Sequence, residues 1–224
     1  MKLRLYLSIV LFGLGWLSVP VSAATLVSYQ FSSGSLSPTV TGTGVTATNV
    51  TGVSGAVSSQ YAYTGMSSSA YNNLTSSGVF GQFALSAASG GDLLDLSSIS
   101  FSYDFYQTSG TDDPKDMGFV LYFSQDNWST QTFLQSFTNT SSRTYTPVSS
   151  GAINLTGIAD LSSISFRIYQ DNPVNQSNGL YRFIFDNVVV MGEIIAVPEP
   201  SVSVLAALGF GALLARKRTR AGRH

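Results

Sequence analysis

The chain has 224 residues, 44% of them hydrophobic and only 10% charged, with 11 basic and 12 acidic side chains for a formal net charge of −1. It has no cysteine, which excludes disulfides, thiolate metal sites and thiol nucleophiles. Its one histidine is the terminal His224, so the body of the chain can build neither a Ser–His–Asp triad nor a histidine metal site.

The first 23 residues read as an address. Lys2 and Arg4 precede an apolar run from Leu5 to Leu17, and Val21-Ser22-Ala23 supplies the small residues a signal peptidase reads. Cleavage after Ala23 is expected, with Ala24 as the alternative. The basic residues concentrate at the chain ends. Between Ala24 and Val197 only Lys115, Arg143, Arg167 and Arg182 remain, against eleven acidic residues, a net charge of −7. That balance argues against nucleic acid as a partner and suits solubility outside the cell.

The segment between the ends, about 174 residues, is long enough for one domain with a sizeable core. Ser, Thr, Gly, Tyr, Phe and Val dominate it, Glu and Lys are scarce, and no helical period emerges between Ala24 and Glu193. Strands are expected over Thr25 to Phe31, Thr43 to Thr51 and Val79 to Ser86, with a Ser-rich stretch from Ser54 to Ser77 around Tyr61, Tyr63 and Tyr71.

An internal echo follows. Asp95-Leu96-Ser97-Ser98-Ile99-Ser100-Phe101 returns as Asp160-Leu161-Ser162-Ser163-Ile164-Ser165-Phe166. Each copy is expected to be an Asp-Leu-Ser turn feeding a core strand, Ile99 to Tyr106 and Ile164 to Gln170. Alternation puts Ile99, Phe101, Tyr103 and Phe105 on one face and Ile164, Phe166 and Ile168 on its counterpart. Two copies do not make a solenoid; they suggest a sandwich with related halves. Further strands are expected at Met117 to Ser124, Gln131 to Phe137, within Thr144 to Leu155, and at Leu180 to Ile184 continuing through Phe185 to Met191. Asp112-Asp113-Pro114, Asp126-Asn127 and Asp171-Asn172-Pro173 are turn chemistry. Short strands at this spacing argue an all-β, jelly-roll type β-sandwich. The texture of LYFSQDNW, FRIYQD and FDNVVV is similar to that of carbohydrate-binding modules and lectin-like domains, a resemblance that implies a fold more than a ligand.

If the repeated strands share one sheet, Asp104 and Tyr106 lie on a face with Arg167, Tyr169 and Asp171, and Arg182 and Asp186 join from a neighbour. Tyr rings can stack on a sugar while charged groups bind its hydroxyls, so this face is the candidate glycan site. The alternative is a solvated face of weak cross-strand pairs. Trp128 is a further candidate ring, or a lid over the core. A glycosidase needs two carboxylates across the scissile bond, for which Asp104 and Asp171 are the available pair; no motif supports an enzyme. No cofactor is implied. Calcium has oxygen ligands on offer at Asp112, Asp113 and Asp116, or at Asp186, though the spacing matches no known calcium loop and a solvated loop is the alternative.

The chain ends in a third kind of text. Pro198-Glu199-Pro200 stiffens the backbone, Val202 to Ala215 is uncharged and apolar, and Arg216, Lys217, Arg218 and Arg220 follow. As a helix the run spans about 21 Å, short for a transmembrane segment unless flanking basic side chains snorkel. The basic cluster is expected to remain cytoplasmic. Proline motif, short apolar helix and basic end, in that order, resemble the PEP-CTERM sorting signal of exported bacterial proteins. That resemblance implies processing near Pro198-Glu199-Pro200 by an exosortase, transient anchoring in the inner membrane, and delivery to the cell surface or exopolysaccharide. The expected organisation is therefore a signal peptide (1–23), a β-sandwich (24–196) and a sorting signal (197–224) with a transmembrane helix. The body is expected to be structural or adhesive, with polysaccharide recognition as the alternative and polysaccharide hydrolysis third.

Overall fold

The computed structural model describes residues 23–31, 35–53, 55–57, 61–65, 79–107, 116–140, 143–171 and 181–197. The expected leader, the Pro198-Glu199-Pro200 motif, the apolar run and the basic end lie outside those residues. Among the described residues no helix is long and apolar enough to cross a membrane.

The strands are β1 (Ala24–Tyr29), β2 (Val40–Thr41), β3 (Val45–Ala47), β4 (Gly55–Val57), β5 (Tyr61–Gly65), β6 (Val79–Ala87), β7 (Leu93–Gln107), β8 (Asp116–Ser124), β9 (Thr132–Thr140), β10 (Val148–Ser149), β11 (Ile153–Asn154), β12 (Ser163–Asp171) and β13 (Tyr181–Ile195). They form the expected all-β sandwich. One sheet has eight strands, with β10-β7-β13-β1-β2 as its main order; β11 pairs with β7, and β5 lies between β13 and β4. The second runs β3-β6-β12-β8-β9. The pairings within both sheets are antiparallel.

Alternation fills the space between the sheets. Ile99, Phe101, Tyr103 and Phe105 of β7 and Phe183 and Phe185 of β13 face Phe119, Leu121 and Phe123 of β8 and Ile164, Phe166 and Ile168 of β12. Phe119 is the hub: its ring centroid lies 4.5 Å from that of Phe183, 4.7 Å from Phe137 and 5.1 Å from Tyr103. The three pairs are tilted, stacked and edge-on in turn, and aromatic pairs of this kind add to what burial alone contributes.

β13 holds its place through two irregularities. Its register against β7 shifts between Asp186 and Val189, where Asn187 takes a φ of 51°. The extra residue changes the phase, so inward positions pass from Phe183 and Phe185 to Val188 and Val190 and both halves keep their apolar side in. The same break lets the far edge of β13 pair with β5 before it and with β1 after it. A second shift falls at Met191/Gly192, where a Cβ on Gly192 would overlap the Asp95 carbonyl oxygen.

The two copies of the repeat part company. Asp95–Phe101 lies wholly inside β7, so the turn expected there is strand, because β13 is long enough to pair it back to Leu93. Asp160 does sit in a turn, at φ 57°, and its copy enters β12 only at Ser163. Leu94 and Leu161 exchange backbone hydrogen bonds of 2.7 and 3.2 Å where the lead-ins meet. One copy thus feeds each sheet, and their apolar residues line the core from its two sides.

Candidate functional site on the five-stranded sheet

The face expected to unite Asp104, Tyr106, Arg167, Tyr169 and Asp171 is divided by this topology. Asp104 and Tyr106 belong to β7 in the eight-stranded sheet; Arg167, Tyr169 and Asp171 belong to β12 in the other. Arg182 and Asp186 join the first group through β13, where Arg182 pairs with Tyr106, Ile184 with Asp104 and Asp186 with Ser102.

The outer face of the eight-stranded sheet is sealed at this point. Asp104 is 1% exposed and Ile184 is 0% exposed. One Asp104 carboxylate oxygen accepts the backbone N–H of Phe105 (2.8 Å) and the other that of Thr146 (2.8 Å), tying the 143–147 segment to the sheet. Asp104 is therefore a buried fastener, where the sequence suggested a solvated carboxylate. Burial raises its pKa above the ordinary carboxylate value, against the lowering effect of the two N–H groups. Burial also raises that of Asp186, opposed by the backbone N–H of Asn187, and its Oδ1 is buried without a hydrogen-bond partner.

The outer face of the five-stranded sheet is built differently. Register places Gln82 of β6, Arg167 of β12 and Tyr122 of β8 side by side, with Phe133 of β9 beyond Tyr122. Arg167 is central: its Nε donates to Gln82 Oε1 at 2.5 Å, its Nη1 donates to the Tyr169 hydroxyl at 3.3 Å, and its guanidinium carbon lies 3.9 Å from the centre of the Trp128 ring. That is cation–π geometry. The Tyr169 hydroxyl in turn donates to Gln131 Oε1 at 3.3 Å.

Three rings converge beside this network. Tyr122 meets both Phe133 and Tyr169 edge-on, at 5.7 Å in each case. Tyr169 is 1% exposed and offers no open ring face; it supports Arg167 and Tyr122. The accessible rings are Phe133, 52% exposed, and the half-buried Tyr122 and Trp128.

Trp128 is held by an unusual loop. Asn127 and Trp128 are consecutive left-handed residues, with φ of 53° and 69°. Asn tolerates that region; for a bulky residue it is an outlier. The Ser124 hydroxyl, itself buried, fixes the turn by accepting the Trp128 N–H at 2.9 Å and donating to Asp126 Oδ1 at 2.8 Å. Thr130 closes the loop, its N–H on Asp126 Oδ1 (2.9 Å) and its hydroxyl on Oδ2 (2.7 Å). These bonds, with the Thr130 N–H the largest influence, hold the Asp126 carboxyl below its ordinary pKa. The Trp128 indole N–H is buried with no hydrogen-bond partner.

Of the residues expected at a site, Arg167, Tyr169 and Trp128 come together, while Asp104 and Tyr106 fall on the opposite sheet. The backbone of Asp171 ends β12 opposite Gly118. Asp112 and Asp113 lie outside the described residues, and Asp116 accepts the Thr140 hydroxyl at 2.7 Å. Among the described residues no three acidic or histidine side chains gather as a metal site. Tyr122, Phe133, Gln82 and Gln131 were not singled out from sequence. The available signal was Tyr122, out of phase with Phe119, Leu121 and Phe123 in the apolar run from Phe119 to Phe123.

No family model matches this chain, and no curated protein matches it. Among solved structures, a family 29 carbohydrate-binding module is similar at a TM-score of 0.39 and 11% identity, over 76% of this chain and 90% of that one. The CBM22-1 xylan-binding domain from Paenibacillus barcinonensis Xyn10C is similar at 0.36 and 13%, over 76% and 96% of the two chains. A family 11 carbohydrate-binding module from Clostridium thermocellum, in complex with a β-1,3-1,4-mixed-linked tetrasaccharide, is similar at 0.28 and 12%, over 75% and 96%.

Proposed function

We propose that the sandwich is a non-catalytic carbohydrate-binding domain of an exported bacterial protein, which adheres to extracellular polysaccharide through the outer face of its five-stranded sheet. One observation carries this reading: the open Phe133 ring and the half-buried Tyr122 and Trp128 rings surround an arginine held in place by Gln82 and Tyr169. Apolar sugar faces stack on such rings, and guanidinium N–H groups reach hydroxyl oxygens. Two of the five Arg167 N–H groups serve the contacts described, which leaves donors for a ligand.

Export rests on the two chain ends. The leader directs the chain out of the cytoplasm, and the resemblance of its last residues to a PEP-CTERM signal supports exosortase processing and delivery to the cell surface or exopolysaccharide. Adhesion is then the domain's structural role.

A glycan array probed with the exported protein tests the binding face. Binding should be lost in Tyr122→Ala and Phe133→Ala and kept in Tyr106→Ala, which alters the other sheet. Failure to bind any glycan, or indifference to both ring substitutions, rejects the reading. Mass spectrometry of the protein from its native host tests the sorting; residues 202–220 retained on a stably embedded product would reject it.

A further inference from the structure

Three neighbouring strands change character at the same level of the five-stranded sheet. Gln82, Arg167 and Tyr122 form one row across β6, β12 and β8; the next row is Ala84, Ser165 and Ser124, and beyond it Ser86 pairs with Ser163. Large side chains give way to small ones in one step. The low floor lies between Thr46 and Thr48 on one side and the 125–127 loop on the other, forming an open trough of about 270 Å³. That is near the lower end of the roughly 300–1,000 Å³ common for small-molecule sites.

The trough lining contains no charged side chain. Among the described residues the side chains of Thr46, Ser86, Gln125, Asn127, Ser163 and Ser165 make no hydrogen bond within the protein. Hydroxyl and amide groups both donate and accept, so the trough matches a ligand that does the same over a short distance. It lacks a cation to hold an anion, and its hydroxyl and amide groups stand among carbon surface that includes Ala84. From Ser163 to Arg167, which sits beside Tyr122, the strand covers about 14 Å, at roughly 3.4 Å per residue, so trough and rings adjoin along one track. Asn127 lines the trough and Trp128 caps Arg167, which places one loop at the junction of the two halves.

We infer that the trough is a second subsite, for an uncharged sugar unit, so that the ligand is an internal stretch of neutral polysaccharide lying across both halves of the face. This rests on the glycan-binding reading above and adds a length and charge requirement to it.

Calorimetric titration of the exported protein with neutral glucose-, xylose- and galactose-based oligosaccharides of two to six units tests it, with uronic acid oligomers alongside. Affinity for the neutral ligand that binds should rise by roughly tenfold or more from the disaccharide to the hexasaccharide. Ser165→Tyr should erase that gain by filling the trough, and leave disaccharide binding at the rings unchanged. Ser163→Tyr, at an exposed position, is the second obstruction should Ser165→Tyr fail to fold. Wild-type length dependence in both folded variants would overturn the second subsite while Tyr122→Ala and Phe133→Ala still abolish binding, as would a wild type indifferent to length. Uronic acid oligomers binding as well as neutral ones would overturn the charge requirement, and binding of no probe would overturn both readings together.

Discussion

The two outer faces of this sandwich use the same ingredients to opposite ends. On the eight-stranded sheet the outward file of β7 is roofed over at Asp104, which is buried, fastened to Thr146, and flanked by a fully buried Ile184. On the five-stranded sheet the polar file of β12 stays open, with Arg167 propped by Gln82 and Tyr169 and bordered by an exposed Phe133. Charge on an outward-facing strand position therefore says little about function until the cover is known. A buried carboxylate fastens a segment; an open guanidinium among rings can meet a ligand.

That contrast breaks most easily at Ile184. It points away from the space between the sheets, yet Ile184→Ala should cost about 2–5 kcal/mol, as in a packed core. Phe133→Ala, an equally outward position on the other sheet, should change stability by less than about 0.5 kcal/mol. Urea denaturation of the two variants measures both; equal losses would erase the distinction between a sealed and an open face. Next comes Asp104→Ala, which removes the carboxylate that accepts the Phe105 and Thr146 N–H groups and should cost about 1–3 kcal/mol. Hydrogen exchange at Thr146 should accelerate in this variant, and unchanged protection there would show that the segment is held by something else.

These effects also mark where sequence reasoning reached and where it stopped. Alternation in β7 and β12 identified the apolar sides correctly, because period two is a local property of the strand. It could not say that the two copies of the heptad feed different sheets, since pairing partners come from distant segments such as β13 and β6. The burial of Asp104 was hidden for the same reason: its partner Thr146 is 42 residues away. Tyr122 was masked by neighbours as apolar as itself, and Phe133 meets it only through a register shift between Leu121 and Tyr122. Arg167, Tyr169 and Trp128 were visible because a cation and large rings stand out in a chain with few charges.

A smaller effect sharpens the open side. Ser124→Ala removes the hydroxyl that accepts the Trp128 N–H and should cost about 1 kcal/mol. Its larger consequence should be local: Trp128 loses its fixed place over Arg167, and glycan affinity falls while the melting temperature moves little. A loss of stability without any change in glycan affinity would separate this loop from the binding face.

The smallest expected effect is in the response to acid, where the two faces should differ in sign. Asp104 and Asp186 have raised pKa values, chiefly through burial. Each contributes stability that is full below the ordinary carboxylate pKa and is lost as pH rises through its raised folded value. Asp126 is lowered, chiefly by the Thr130 N–H, so its contribution is present above the ordinary carboxylate value and is lost as pH falls through its lowered one. Acidification should thus favour the sealed face while loosening the Trp128 loop. The chain has two tryptophans, Trp16 and Trp128, so in a Trp16→Phe variant fluorescence reports this loop alone. Its emission should shift at acid pH before the fold melts, and Asp126→Asn should abolish that early shift while leaving the global pH profile of Asp104 and Asp186 intact. Emission that tracks global unfolding at every pH would show that the loop has no separate acid response.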